Sequence, residues 1–580
     1  MVIKKNTLIY GLIIILYLLF VYRYKLFDKS YLFLVGDLYF SFNPAYDLKH
    51  YIGYHENNSF IINNENIKYI FWVLYRYINY LLFDLLKIPL FILNRLFLLV
   101  PAFLYIWSFF LLMKNYFNEK NNVLILFITL FLFTTGNLLQ VIDPIGIWLP
   151  MSAVYFTYLY FTKDIMNLKY NNVIIISLLT IVIIAQPRYI IFLIYFLPVY
   201  SFFFLKKSDF FFIIKYFFIL LLLSLLFNSY SIYVFVQSFL SGLSDNYLIN
   251  NSIINLQESR LDHISSYNLY NVNIILLLSF FLNTYNPQSF IVNNNYIFIL
   301  FIIIFTLNYF FSILDLFKEK ISSFKKIKLK IFIIFLIVIL FFSEPSLQKI
   351  YIKIPFLWTI SSPVHIYLLF LPFISYVFIN GIVVISNSLK KNNLLCKLYY
   401  VVFFFSCLIY IIPFLFSQSS FINRKFYHNA NDNSIFAANN SFELGWIKIP
   451  EEYFNFELNI EKKKYKILHF PLVENVYVSY NFTDLTIPVI FTLYQHLPVT
   501  ISNNVFFSEI DKKNFYLWES DKIVRFLKSR NYKYIIVDFN FRLNKYDDIY
   551  TNYSNFFYLI EKKSLKKIFS SVSFDIYELL

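Results

Sequence analysis

Glycine and charge are scarce in this sequence: 8 glycines in 580 residues, and only 14% Asp, Glu, Lys and Arg. So little charge excludes an ordinary water-soluble chain of this length, which carries about a quarter of its residues charged. Cysteine is nearly missing too. Cys396 and Cys407 lie at and within one late apolar run, so neither a disulfide framework nor a metal site follows from them. The chain has no Walker loop, no dinucleotide glycine fingerprint, no HExxH and no CxxC, which leaves nucleotide-driven transport and zinc proteolysis without support.

What the sequence does have is apolar mass: 59% hydrophobic and 23% aromatic residues, with a mean hydropathy of +0.60. The excess of Phe, Ile, Tyr, Asn and Lys is read as AT-rich coding and carries no functional weight. The runs themselves do carry weight, because a bilayer core needs about 20 apolar residues per helix. Apolar runs at 7–22, 88–113, 123–142, 147–162, 172–186, 188–205, 210–228, 296–316, 331–343, 365–386 and 398–416 predict a polytopic α-helical membrane protein with about eleven transmembrane helices. The opening MVIKKN and TLIYGLIIILYLLFV lack a small-residue cleavage pattern and are read as an uncleaved first span.

The lysines set the orientation. The net charge of +16 would suggest nucleic acid in a soluble domain, but here the lysines sit in short loops between apolar runs, and no nucleic-acid partner is expected. With Lys4 and Lys5 in the cytoplasm, the loops holding Lys114/Lys120, Lys163/Lys169, Lys206/Lys207, Lys318 to Lys330 and Lys390/Lys391/Lys397 are also inside, as the positive-inside rule requires. The first loop (22–87), the stretches 229–295 and 344–364, and everything after Gln418 then face outward. The expected division is a multi-span part, 1–417, and an extracytoplasmic α/β domain, 418–580. In the first loop, IKYIFWVLYRYINYLLFDLLK (67–87) has the pattern of a helix lying in the membrane interface, and a similar role suits 271–287. In the tail, KYKILHFPL (464–472), YKYIIVDFN (532–540) and the terminal SFDIYEL read as strands, and DKIVRFLKSR (521–530) as a helix.

Among the outward-facing ionisable groups, Asp37 in VGDLYFSFNP leads. A carboxylate held just above a bilayer can take the proton of a hydroxyl that attacks a lipid-linked donor. The competing reading is a turn or helix cap, which Gly-Asp and Asn-Pro pairs commonly supply. Asn43, beside the Pro44 that closes the same run, is counted as a substrate contact. Asp47, His50, His55 and Glu56 follow in that loop and read better as solvated surface. Arg188, after Gln186-Pro187 at an outward turn, has a guanidinium suited to phosphate, against a reading as an interfacial snorkelling group. QESRLDH (257–263) gathers Glu258, Arg260, Asp262 and His263, a surface charge cluster from which Arg260 and His263 are kept as candidate sugar or acceptor contacts. Trp358 and His365 belong to the loop before a late span; Trp358 suits stacking on a sugar ring or an interfacial aromatic belt equally well. Asp143, in Asp-Pro, reads as a turn starter. The sequons at Asn57, Asn250 and Asn481 carry no weight in so Asn-rich a chain; no metal ligands are assigned.

A first span followed by GDLYFSFNP, then interfacial helices and a long series of spans, resembles the GT-C superfamily of membrane glycosyltransferases, its arabinofuranosyltransferase-like and envelope-polymer branch most closely. IPFLWTISSPVHIYLLFLPF (354–373) is similar to a loop before a late span in that group. KILHFPL, IPVIFTLYQHLPVTISNN (487–504) and KSRNYKYIIVDFN (528–540) resemble its small extracytoplasmic domain. The resemblance implies a polyprenyl-phosphate-sugar donor as co-substrate and a glycan, lipid or protein acceptor, with Asp37 as general base and Arg188 steadying the leaving phosphate. It implies no other cofactor and leaves a divalent metal open. Where that group often has an arginine beside the proline of the late loop, this chain has Ser361-Ser362-Pro363 and His365. Two readings from other classes stand beside it. A lipid-linked glycan transporter or flippase would need polar residues or broken helices in mid-span, of which Pro101 and Pro372 are the most evident. A non-catalytic envelope-assembly protein would tolerate exchange of Asp37.

Overall fold

The computed structural model describes residues 5–29, 32–33, 70–117, 121–133, 144–164, 170–184, 210–230, 295–318, 363–390, 392–416, 446–447, 466–470, 477–480, 483–488, 500–501, 520–529, 532–538 and 565–580, with 44, 48, 189, 192, 197, 233 and 452 singly. The chain divides into two compact units: Met1–Tyr22 with Ile67–Phe71 and Leu99–Ser441, and Arg23–Asn66 with Trp72–Leu98 and Phe442–Leu580. The described residues are mostly helical, with a small C-terminal sheet.

Long apolar runs with few interior breakers make the helices of the first unit. Two helices, Leu90–Tyr116 and Leu371–Leu389, are long and apolar enough to cross a membrane, and Leu8–Val21, Asn122–Leu132, Val173–Ile184, Phe218–Phe227 and Asn393–Leu408 form shorter apolar helical stretches. The expected runs at 331–343 and 271–287, and 188–205 apart from three single residues, lie outside the described residues. Pro101 and Pro372 both sit inside continuous helices, Leu90–Tyr116 and Pro363–Leu389, so neither ends its element. An interior proline removes one backbone donor, which an apolar helix tolerates when neighbours re-satisfy the freed carbonyl.

These helices bury only part of their circumference. Lys5–Val21 buries Gly11, Ile14, Leu18 and Val21 along one seam, while Leu8, Leu12 and Leu16 on its other faces are exposed. Phe210–Phe227 leaves Phe218, Leu221, Leu222 and Leu226 exposed. The buried sides are packed through aromatic rings and small residues. Tyr105 stacks on Tyr155 at 5.7 Å and meets Phe133 edge-on at 4.5 Å. Tyr155 donates to the Leu368 carbonyl at 2.8 Å, which ties Leu149–Asp164 to Pro363–Leu389. Asn295–Lys318 crosses Pro363–Leu389 where Gly381 meets the backbone of Asn308, and a Cβ there would overlap the Asn308 carbonyl.

Several interior contacts of this unit are polar. Asn380 Nδ2 donates to Ser312 Oγ at 3.0 Å and to Asp315 at 3.5 Å. Tyr399 donates to Asn308 Oδ1 at 2.5 Å, Tyr400 to Ser386 Oγ at 2.8 Å, and Asn228 to Thr180 Oγ1 at 3.1 Å. Buried polar groups in apolar surroundings must be paired with one another, so these bonds join the helices that carry them. Cys396 is half-buried and Cys407 buried, and both are free.

The helix Ile70–Tyr80, which enters the second unit at Trp72, is amphipathic and runs into a wider π turn, Leu81–Leu85. Phe71, Tyr75 and Asn79 are buried along one face, whereas Leu74, Tyr77 and Ile78 are exposed. A two-stranded ladder joins β1 (Leu32–Phe33) to β2 (Trp446–Ile447), antiparallel, with Leu32 opposite Ile447 and Phe33 opposite Trp446. The C-terminal sheet uses β3 (Lys466–Phe470), β6 (Thr500–Ile501), β7 (Tyr532–Asp538), β8 (Leu565–Ser570) and β9 (Phe574–Leu579) in the order β6-β3-β7-β9-β8. β4 (Tyr477–Tyr480) and β5 (Thr483–Pro488) form a separate hairpin. β3 lies parallel to β6 and β7, and β9 antiparallel to β7 and β8. β7 reads as a nearly unbroken apolar run because it is central, with Tyr534 to Val537 all buried. The helix Ser520–Ser529 packs on β7, burying Leu527 and exposing Lys522, Arg525 and Lys528, with Lys528 in its last turn, where the helix dipole favours a cation.

Candidate functional site

Asp37, Asn43, Arg188, Arg260, His263 and Trp358 lie outside the described residues, as do Asp47, His50, His55, Glu56, Asp143, Glu258 and Asp262. His365 is the third residue of the helix Pro363–Leu389. The structure does describe chain before and after the stretch that holds Asp37, and a segment of the tail that pairs with β1.

The approach to the Asp37 loop is fixed at two points. After the first helix the chain makes a short turn, Arg23–Leu26. Arg95, near the start of Leu90–Tyr116, reaches it with two donors: Nε to the Leu26 carbonyl at 3.0 Å and Nη2 to the Asp28 carbonyl at 2.8 Å. Nη1 lies 3.4 Å from Asn94 Oδ1. Arg95 is 7% exposed, and a guanidinium so buried needs its fork of donors satisfied by acceptors in fixed positions. The Phe91 ring is flanked by two cations, Arg95 with Cζ 5.9 Å from the centroid and Lys29 with Nζ at 5.5 Å. The second fixed point is β1, whose pairing with β2 ties the chain just before Asp37 to the tail. In the sequence only a lone charge early in a long apolar run announces Arg95.

In the tail, the turn between β8 and β9 is held by polar contacts. Ser571 Oγ donates to the Phe574 carbonyl at 2.9 Å and accepts from the Phe574 N–H at 3.0 Å, while the Ser573 N–H donates to Glu452 Oε2 at 2.9 Å. Asp575, 4% exposed, accepts from Lys567, from Ser570 Oγ at 2.6 Å and from Tyr577 at 3.0 Å. Burial alone would raise the Asp575 carboxyl, but the hydrogen bonds from Lys567, Ser570 and Tyr577 outweigh it and hold it below the usual carboxylate range. The bond to Asp575 raises Lys567, against a smaller opposing effect of burial. Burial raises Tyr577, whose hydroxyl also donates to Asp575. With both Asp575 oxygens engaged, this cluster braces the β8–β9 hairpin.

Among the described residues, no group of three or more His, Cys, Asp and Glu side chains is arranged to hold a metal ion. No protein-family model matches the chain, and no curated protein is significantly similar to it.

Proposed function

We propose that the chain is a polytopic membrane glycosyltransferase of GT-C-like architecture, with about eleven spans. Its N-terminus lies in the cytoplasm and its C-terminal domain outside. It moves a sugar from a polyprenyl-phosphate-linked donor to an extracytoplasmic glycan, lipid or protein acceptor. The observation that supports this reading is the β1–β2 ladder. Phe33, just before Asp37, is the partner of Trp446 in the tail, so the strand leading to the candidate base and the C-terminal sheet belong to one compact unit. An acid that must meet both a membrane-borne donor and an acceptor bound from outside needs that adjacency. The exposed apolar faces of Lys5–Val21 and Phe210–Phe227 support a lipid surround.

In the reaction the acceptor hydroxyl attacks the anomeric carbon of the donor. Its proton passes to the Asp37 carboxylate, the bond from that carbon to the phosphate oxygen breaks, and polyprenyl phosphate leaves beside Arg188. Positioned base catalysis is typically worth about 10²–10⁴-fold. Membranes carrying Asp37→Asn should therefore lose transfer by that factor at unchanged protein level; full retained transfer would reject Asp37 as the base.

Transport of a lipid-linked glycan is favoured instead by one observation, the polar contacts among Asn308, Ser312, Asp315 and Asn380 inside apolar helices. A flippase would move labelled donor across vesicles with Asp37→Asn as fast as with the wild type.

A further inference from the structure

We propose that Ser177, Ser224 and Asn228 form an internal site for one water molecule, held between the helices Tyr170–Ile184 and Phe210–Phe227 as the third member of their polar joint. Such a site owes nothing to the glycosyltransferase reading. It follows from the hydrogen-bond balance of neutral side chains at one interface.

The two helices pack on each other, and their polar residues meet there. Tyr170–Ile184 buries Val173, Ile176, Ser177, Thr180 and Ile183 along one side and exposes Ile174, Ile175 and Leu178. Along Phe210–Phe227, Leu220 and Ser224 lead, one turn at a time, to Asn228 just past the helix end. Thr180 Oγ1 donates to the Ser177 carbonyl at 2.6 Å, so toward Asn228 it can only accept. Asn228 Nδ2 donates to it at 3.1 Å and to the Ser224 carbonyl at 2.8 Å, which fixes the amide with both of its hydrogens engaged. Asn228 Oδ1 is left over. So are the hydroxyls of Ser177 and Ser224: all three atoms are buried and have no hydrogen-bond partner among the described residues. Ser177 is 0% exposed and Asn228 2%, so bulk water does not reach them. The two serines also depart from the habit of this unit. Ser108, Thr129, Ser152, Thr157 and Ser406 each donate back to a carbonyl three or four residues earlier in their own helix. Ser177 and Ser224 do not, and each lies within one turn of a member of the Asn228–Thr180 bond.

Three leftover groups at one joint point to a ligand, and their chemistry selects it. They comprise two O–H donors and one acceptor. A water accepts both hydroxyl hydrogens and returns one of its own to Asn228 Oδ1, the three bonds typical of a buried water. A monovalent cation matches lone pairs alone. It leaves both hydroxyl hydrogens unmet and brings a charge that none of these neutral side chains balances. A hydrocarbon chain meets none of the three.

The test begins with an electron cryomicroscopy map of the full-length protein in nanodiscs, at a resolution that shows ordered water. A peak should lie about 2.6–3.2 Å from Ser177 Oγ, Ser224 Oγ and Asn228 Oδ1; no peak there overturns the site. Thermal unfolding in detergent supplies a second reading. Ser177→Ala and Ser224→Ala should each lower the midpoint by about 1–3 °C. The double variant should fall no further than the larger single, because each change removes the same bridge. Alanine is the better helix former, so propensity opposes the expected fall. A dry hydroxyl predicts the opposite sign, since deleting an unpaired buried group is neutral or stabilising. A raised or unchanged midpoint, or losses that add, would therefore overturn the water. An ion is recognised by salt: a wild-type midpoint higher in sodium or potassium chloride than in choline chloride at equal ionic strength, with the difference lost in Ser177→Ala, would put a cation in its place and overturn the proposal.

Discussion

The helices of the first unit and the sheet of the second solve opposite problems. In the sheet, Phe574, Ile576 and Ile536 are buried, and Lys567 reaches into solvent from an edge strand. In the helices, Phe218, Leu221 and Leu226 point outward, while Asn308, Ser375 and Thr157 are wholly buried. The second arrangement inverts the first. Two of these helices are long and apolar enough to cross a membrane, and on the proposed reading hydrocarbon surrounds them, whereas the sheet is organised for water. The contrast can be broken or sharpened by substitution.

The largest effect is expected from Gly381→Leu. The Asn308 backbone occupies the space a side chain would need, so the two helices must separate. We expect a loss of about 3 kcal/mol or more, seen as loss of the monodisperse folded protein in detergent. A variant as stable as the wild type would mean that the crossing is not close.

Asp575→Ala should follow, costing about 3 kcal/mol, because it strips a buried acceptor from Lys567, Ser570 and Tyr577; hydrogen exchange at β8 and β9 measures it. The same cluster sets a pH dependence. The Asp575 carboxyl is held low in the folded state, so its contribution is full above its unfolded value of about 3.9 and is lost as pH falls below that. Lys567 and Tyr577 are raised, so their contributions are full below about pH 10 and are lost as pH climbs through the folded values. The protection of β8 and β9 should therefore weaken at both extremes and be flat between them.

A smaller change sharpens the contrast directly. Phe218→Trp should leave stability within about 1 kcal/mol and be quenched by brominated lipid, while the aqueous quencher iodide has little effect. Trp446, in β2, should show no quenching by bromine placed deep in the acyl chains. The smallest effect is expected from Glu452→Gln, which weakens one acceptor for the Ser573 N–H and should cost about 1 kcal/mol, read as faster exchange at that amide.

Periodicity explains which parts were legible in the sequence. Apolar runs of helical length marked the membrane-type helices to within a few residues, as for 88–113 against Leu90–Tyr116, and alternating or β-branched runs marked β3, β7 and β9. What leaves no period was not legible. The two-residue strands β1 and β2 are too short to alternate, and their pairing depends on distant chain. The reach of Arg95 to Leu26 and Asp28 spans 69 and 67 positions, with only a lone charge to announce it. Pro101 and Pro372 looked like breaks because proline usually ends a helix in water, yet both lie within helices that continue. Of the candidate site, the sequence supplied Asp37 and its compartment as expectations, and the structure supplied the two attachments beside it.

The ladder between Phe33 and Trp446 also governs the order of assembly. The partners are separated by more than four hundred residues, so at ribosomal rates of about 5–20 residues per second the first strand waits some 20 s or longer for its mate. Through that interval β1 has no partner strand, and the ladder can close only once Trp446 and Ile447 have been made.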